Sequence, residues 1–442
     1  MIIDVTTSGE LLAAIQSAQP GDTIVLADGT YALTGANCTT TATETLPITV
    51  RGATPLGAHI EFDGLEGFKV SGANWHFENL DVRGVCANDT NCEHAFHVSG
   101  AADGFVLRGS RVHDFNAQLK VNASMIGGNW VMPNRGLVEY NELFDTHGRN
   151  TSNPVTKLNI DTGNDWIIRG NFIHDAYKMG GDGVSYATFM KSGGKRGLIE
   201  RNLVVCSRDT AGGTRIGLSF GGGGTAPQYC APAYDASTPC SVEHEGGTMR
   251  NNIIASCNDV GIYINRGKDS HILYNTLVAT NGIDFRFDTT SGEAVGNVMT
   301  SVPRTRDGGT MTAGANMENV AVVKFQEWYR APLTGDLAAI GDVTSLVGGG
   351  IARTDVPNDY CGATRPAGKI SLGAIEHAHL GCETVPPPHA DDPIDPGMGD
   401  GSGGDDESPT DGGCCDSSGG AGSLPLGLGV LIALAGIGRR RR

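Results

Sequence analysis

Basic residues are scarce. The 442-residue chain has 32 Lys and Arg against 49 Asp and Glu, a net charge of −17. That balance speaks against nucleic acid as a partner, because a phosphate backbone selects clustered positive charge. Aromatic residues are also few, at 6%, which disfavours a large β-sandwich core. Eleven cysteines are present, but no Cys-x-x-Cys stands with a second such pair or with paired histidines. The cysteine spacing therefore speaks against zinc, and no metal site is expected. The amino terminus lacks a basic segment before an apolar run, so it is not a secretory signal; if the protein is exported, the true start is expected upstream.

Glycine, by contrast, is abundant. Its 65 residues are about twice the usual share and favour a turn-rich β protein. Cys86 and Cys92, Cys230 and Cys240, and Cys361 and Cys382 lie in close pairs around loops. Such pairs fit disulfides and an oxidising compartment. The opening residues read as a strand, an amphipathic helix over Ser8 to Ala18, a Pro-Gly-Asp turn and a strand over Thr23 to Leu26.

The central region repeats. FVLRGSRV, LVEYNELF, WIIRGNFI, LIERNLVV, GTMRNNII, HILYNTLV and EAVGNVMT each place Ser or Asn after an aliphatic stretch. The key positions are Ser110, Asn141, Asn171, Asn202, Asn252, Asn275 and Asn297, separated by 31, 30, 31, 50, 23 and 22 residues. Units of this length, rich in Val, Ile and Gly, predict a right-handed parallel β-helix, an all-β solenoid. The Asn is expected to take the left-handed turn conformation and to stack its amide along the ladder. The step of 50 is a rung plus an insertion. The helix near Ser8 is expected to cap one end, and residues 325–333 and 370–377 to close the other. The β-helix domain is assigned to residues 1–382, with rungs clearest over 75–300 and a closing region over 301–382. A monomer is expected.

Residues 383–422 form a Pro/Gly/Ser/Asp linker that cannot bury a core; within it, 391–411 carry eight acids and no base. The apolar run 423–438 is shorter than the about 20 residues of a bilayer span, and Arg439 to Arg442 follow it. Just before the run stand Cys414 and Cys415. The order Gly-Cys, short apolar run, Arg cluster resembles the sorting tags of myxobacterial surface proteins. That resemblance implies processing near Cys414 and Cys415, membrane contact before processing, and display on the cell surface. A plain tail anchor is the alternative.

Each rung also offers a second strand, and in a strand alternate side chains share a face. The outward set is His97, Lys120, Asn122, Lys157, Asn159, Lys191, Arg215, Tyr263, Asn265 and Arg286. Ile216 and Phe287 fall on the inward set. Cations stacked about 4.8 Å apart repel, so a row of them in an acidic protein predicts a site for a polyanion. The alternative is a solvent face offset by Asp161 or Asp182. Glu243-His244-Glu245, in the insertion, offers metal-ligand types, but reads as exposed loop charge.

The opening ELLAAIQSAQPGDTIVLADGTY, the Lys191-Ser192 pair and Arg215 in TRIGLSFGGG resemble the β-helix polysaccharide lyases of the chondroitinase B and alginate lyase family. The resemblance spans about residues 2 to 300. It implies β-elimination on a uronate polysaccharide, with Lys191 as base and Arg215 as electrostatic clamp. His97 or Tyr263 would be the acid, and Lys120, Lys157, Asn122, Asn159, Asn265 and Arg286 would bind substrate. The family's calcium ligands would fall at Val184 and Tyr186, which offer no carboxylate, so no cofactor is expected. A non-catalytic glycan-binding or adhesive protein, and a glycoside hydrolase on the same fold, are the alternative readings.

Overall fold

The computed structural model describes residues 1–222, 230 and 240–377. Three parallel sheets run the length of the domain, one of twelve strands and two of ten. They form the right-handed parallel β-helix that the repeat predicts. Each full turn contributes one short strand to sheet A, one to sheet B and one to sheet C. One turn, for example, comprises Ile167–Arg169 in A, Phe172–His174 in B and Val184–Met190 in C. Aliphatic and aromatic side chains from all three sheets fill a single interior that extends from Val5 to Met299. The N-terminal helix Ser8–Ser17 begins with a Thr7/Glu10 capping box, which satisfies free backbone N–H groups, and buries Leu11 and Ile15.

The amide ladder lies at the corner between sheets A and B. Asn171 Oδ1 accepts the Asn141 backbone N–H, and Asn202 Oδ1 accepts that of Asn171, both at 3.0 Å. The chain of contacts extends from Ser110 to Asn316. The left-handed residue is not the Asn but the one before it. Tyr140, Arg201, Asn251 and Tyr274 have φ of 53–56°. The turn therefore bends one place earlier and leaves the Asn free to span two rungs.

Strands Pro303–Arg306 and Thr312–Gly314 end sheets C and A, but the segment that follows, expected to close the far end, lies along the side. Helix Val322–Trp328 and the segment to Ile375 pack Phe325, Trp328, Leu337 and Leu372 against Phe172, Leu203, Ile253 and Val298. These are outward residues of sheet B, so the segment covers one side of the solenoid. Two expected inward residues also lie elsewhere. Ile216 joins an outer cluster with Tyr186, Phe189, Val260 and Tyr263. Phe287, at φ 78°, is half-buried and stacks against Arg266 and Arg286. Phe287 follows the end of its strand, where the backbone turns left-handed, whereas Ile216 lies inside strand Thr214–Phe220 and breaks the strict alternation there.

Cys86 pairs with Cys92 and Cys230 with Cys240, as the spacing suggests. Cys361 is disulfide-bonded; Cys382 lies outside the described residues. A further bridge, Cys206–Cys257, joins successive rungs 51 residues apart, a contact that proximity in sequence could not suggest. Among the described residues no helix is long and apolar enough to cross a membrane. The run 423–438, Cys414 and Cys415 lie outside them.

Candidate functional site

Strand register decides which of the outward residues meet. In sheet C, Lys120 lies opposite Asn159, Asn159 opposite Phe189, Phe189 opposite Ser219, and Ser219 opposite Tyr263. Successive rungs here are offset by 30 residues, so Arg215 pairs with Ser185 and not with Lys191. The supposed row of cations is thus split between the two edges of the sheet.

At the edge where the strands begin, two expected site residues are fully buried. Lys157 is 0% exposed; its Nζ donates to Asp145 and to the Phe115 carbonyl. Arg215 donates to the carbonyls of Cys206 and Gly212, lies 3.7 Å from Asp175 and stacks on the Tyr177 ring. Burial lowers the pKa of both, against the pull of Asp145 on Lys157 and of Asp175 on Arg215. Neither can reach a ligand outside, so the expected clamp and one expected substrate contact are structural ion pairs. A one-sequence reading takes every alternate residue as solvent-facing; here the corner between sheets B and C folds over them.

At the opposite edge a compact cluster forms. Lys191 follows strand Val184–Met190, and the chain then turns sharply through Ser192, φ 55°, and Gly193, φ 78°. Lys120 Nζ donates to Asp161 Oδ2 at 2.8 Å and to Asn159 Oδ1 at 3.1 Å. Lys191 Nζ lies 3.5 Å from Asp161 Oδ1 and 4.8 Å from the Phe189 ring centre. Ser192 Oγ donates to the same carboxylate at 2.6 Å, and its backbone N–H donates to Glu243 Oε2 at 2.8 Å.

The electrostatics follow. Burial lowers the Lys120 pKa; Asp161 opposes this and Lys191 adds to it. Burial raises Asp161, but Lys120 and Lys191 together more than reverse that. Burial raises Glu243, partly offset by the Ser192 N–H and Lys191. Two cations thus share one ionised carboxylate, which leaves surplus positive charge beside a carboxyl biased towards protonation. Glu243 and His244 are not exposed loop charge. Glu243 is buried, and His244 is enclosed and stacked on Phe220. Only Glu245 faces solvent, held by Lys195 and Lys268.

A cavity of about 330 Å³ opens beside the cluster, lined by His97, Ser99, Asn122, Ser124, Trp130 and Asp161. Trp130 comes from a small hairpin, Ser124–Ile126 with Asn129–Val131, that the repeat pattern did not reveal. His97 and Asn122 are joined at 3.1 Å. Tyr263, Asn265 and Arg286 lie further along the stack, with Arg286 bound to Asp307 and to the Tyr263 hydroxyl. Val184 and Tyr186 pack with Phe189, Ile216 and Val260. A hard cation needs several oxygen ligands, so these apolar contacts do not suit calcium.

No family model matches the sequence, and no curated protein does. Solved structures do match. The pectate lyase Pel9A aligns with a TM-score of 0.51 at 11% identity, over 85% of this chain and 96% of that one. A rhamnogalacturonan lyase aligns with a TM-score of 0.50 at 14% identity, over 82% and 99%. A PL6 family polysaccharide lyase from Pseudopedobacter saltans aligns with a TM-score of 0.37 at 13% identity, over 72% and 93%. The fold that this chain shares with the first two is the parallel β-helix.

Proposed function

We propose that this protein binds an acidic, uronate-containing polysaccharide at the Lys120–Asp161–Lys191 cluster and cleaves it by β-elimination. The reading rests on one observation, the two lysines that converge on the single carboxylate of Asp161 beside an open cavity. A uronate carboxylate arriving there meets unsatisfied positive charge. Neutralising it acidifies the C5 proton and stabilises the enolate-like transition state. Lys191, as the neutral amine, then removes that proton and becomes the ammonium, and His97, across the cavity, gives its proton to the departing O4. Trp130 offers a flat face for a sugar ring. Lys120 holds the carboxylate, the role that the sequence reading gave to Arg215. The lyases that share the fold support the class of substrate, and export with display on a surface fits such a polymer.

One observation favours a second reading. Asp161 and Glu243 both bind Ser192, and their surroundings push their pKa values apart. Paired carboxyls of unlike acidity are the equipment of a glycoside hydrolase. Incubating the full chain with alginate, pectate, chondroitin and dermatan separates the two. Elimination produces the ultraviolet absorbance of an unsaturated uronate together with new reducing ends. Reducing ends without that absorbance identify a hydrolase. Binding with neither product identifies a glycan-binding surface protein and removes the catalytic reading.

A further inference from the structure

Two rungs of sheet C bring Glu66, His94 and His97 together. Strand Glu66–Val70 pairs with strand His94–Ser99, with Glu66 opposite His94. His94 Nδ1 lies 3.1 Å from both Glu66 oxygens, and His97 Nδ1 lies 3.0 Å from Oε2. All three ligand atoms fall within 4.8 Å of one another. Around a tetrahedral zinc ion, ligands at about 2.0 Å sit about 3.3 Å apart, so small side-chain rotations would close this set.

The outer nitrogen of His97 is anchored as well. His97 Nε2 meets Asn122 Oδ1 at 3.1 Å, and His94 Nε2 faces Glu93 Oε1 at 3.8 Å. Glu93 is itself held by the side-chain amides of Asn116 and Asn153. The Asn122 acceptor on the outer nitrogen of His97 places that ring's proton there. The His97 Nδ1 lone pair then aims at the Glu66 carboxylate, an arrangement that a cation between them relieves. Outer acceptors of this kind orient metal-bound histidines.

We propose that Glu66, His94 and His97 form a Zn²⁺ site, with the fourth position left for water or a substrate oxygen. Two imidazoles and a carboxylate suit zinc, whereas calcium and magnesium take oxygen ligands. The three side chains are 21%, 14% and 27% exposed, which leaves one side open. His97 also lines the cavity, so the ion would sit at its rim. The cysteine spacing could not indicate this site because no thiolate takes part. The inference does not rest on the elimination reading; a zinc-bound His97 would leave the proton for O4 to another group.

The test is zinc stoichiometry. The full chain is stripped with a chelator, dialysed against Zn²⁺ and analysed for metal content, alongside Glu66→Gln, His97→Ala and, as a control, His271→Ala. His271 is half-exposed and pairs with Glu293 elsewhere. The expected result is one equivalent more zinc in the wild type and His271→Ala than in either site variant. Zinc should also raise the melting temperature of the first two only, and Co²⁺ should give the visible bands of a nitrogen–oxygen site. Circular dichroism confirms that the variants fold; if one does not, the other is read. Equal zinc content in all four proteins, or no zinc in the wild type, overturns the proposal.

Discussion

Lys120 and Lys191 hold opposite oxygens of one carboxylate, Oδ2 and Oδ1 of Asp161. They come from strands two rungs apart, with Asn159 on the strand between. Two ammonium groups this close would repel, and Asp161 is what allows them to coexist. It neutralises only one of the two charges, and in the proposed function the other meets the uronate carboxylate.

If Lys191 removes the proton, Lys191→Ala should lower turnover on the cleaved polysaccharide by about 10²–10⁴-fold. Lys191→Arg should not restore it, because a guanidinium keeps the charge but cannot act as a base. Steady-state kinetics on the two variants checks this. Restoration by arginine would make Lys191 a charge anchor and move the base elsewhere.

His113 gives stability a defined pH window. Burial alone would lower its pKa, but hydrogen bonds to Asp114 and Asp81 outweigh this and raise it from 6.5 to about 9. A histidine that holds its proton more tightly when folded contributes fully below pH 6.5. That contribution fades as the pH rises through about 9. Urea unfolding of the wild type should therefore show stability falling across this interval. His113→Phe, which keeps the stack on Phe144, should be less stable in acid and show a flatter slope.

How much of this was legible follows from the period of each signal. The Asn ladder recurs at fixed intervals on a backbone that must satisfy its amides, so Ser110 to Asn297 could be read directly. The helix at Ser8 was legible from its amphipathic pattern, and Thr7 and Glu10 confirm its start. Register between rungs was not legible. The distance from Lys191 to Arg215 resembled one rung only because the neighbouring rungs, of 22 and 23 residues, are shorter than the 30 that applies there. Glu243 was missed because its insertion breaks the repeat, and its burial comes from contacts with Ser192, 51 residues earlier.

Lys157 tests the boundary between structure and site. Lys157 and Asp145 are both 0% exposed and bonded to each other. Lys157→Ala leaves a buried carboxylate without its partner and should cost about 3–5 kcal/mol. The double variant Lys157→Met with Asp145→Leu should recover much of that loss, since an apolar pair of similar volume often replaces a buried ion pair without penalty. Denaturant unfolding measures both. KM for the polysaccharide should stay unchanged in the folded double variant; a large rise in KM would return Lys157 to the binding site.

The ladder itself should show a gradient of cost. Asn171 Oδ1 accepts from the backbone and side-chain amides of Asn141, and its Nδ2 donates to the Val138 and Arg169 carbonyls. Asn171→Ala orphans several buried groups at once, each worth about 1–3 kcal/mol, so the total should reach at least about 3 kcal/mol. Asn316 ends the ladder and is half-buried. It accepts from Asn297, but water can replace it, so Asn316→Ala should cost about 1 kcal/mol. Equal melting temperatures for the two variants would mean that the amides do not act as a continuous buried chain.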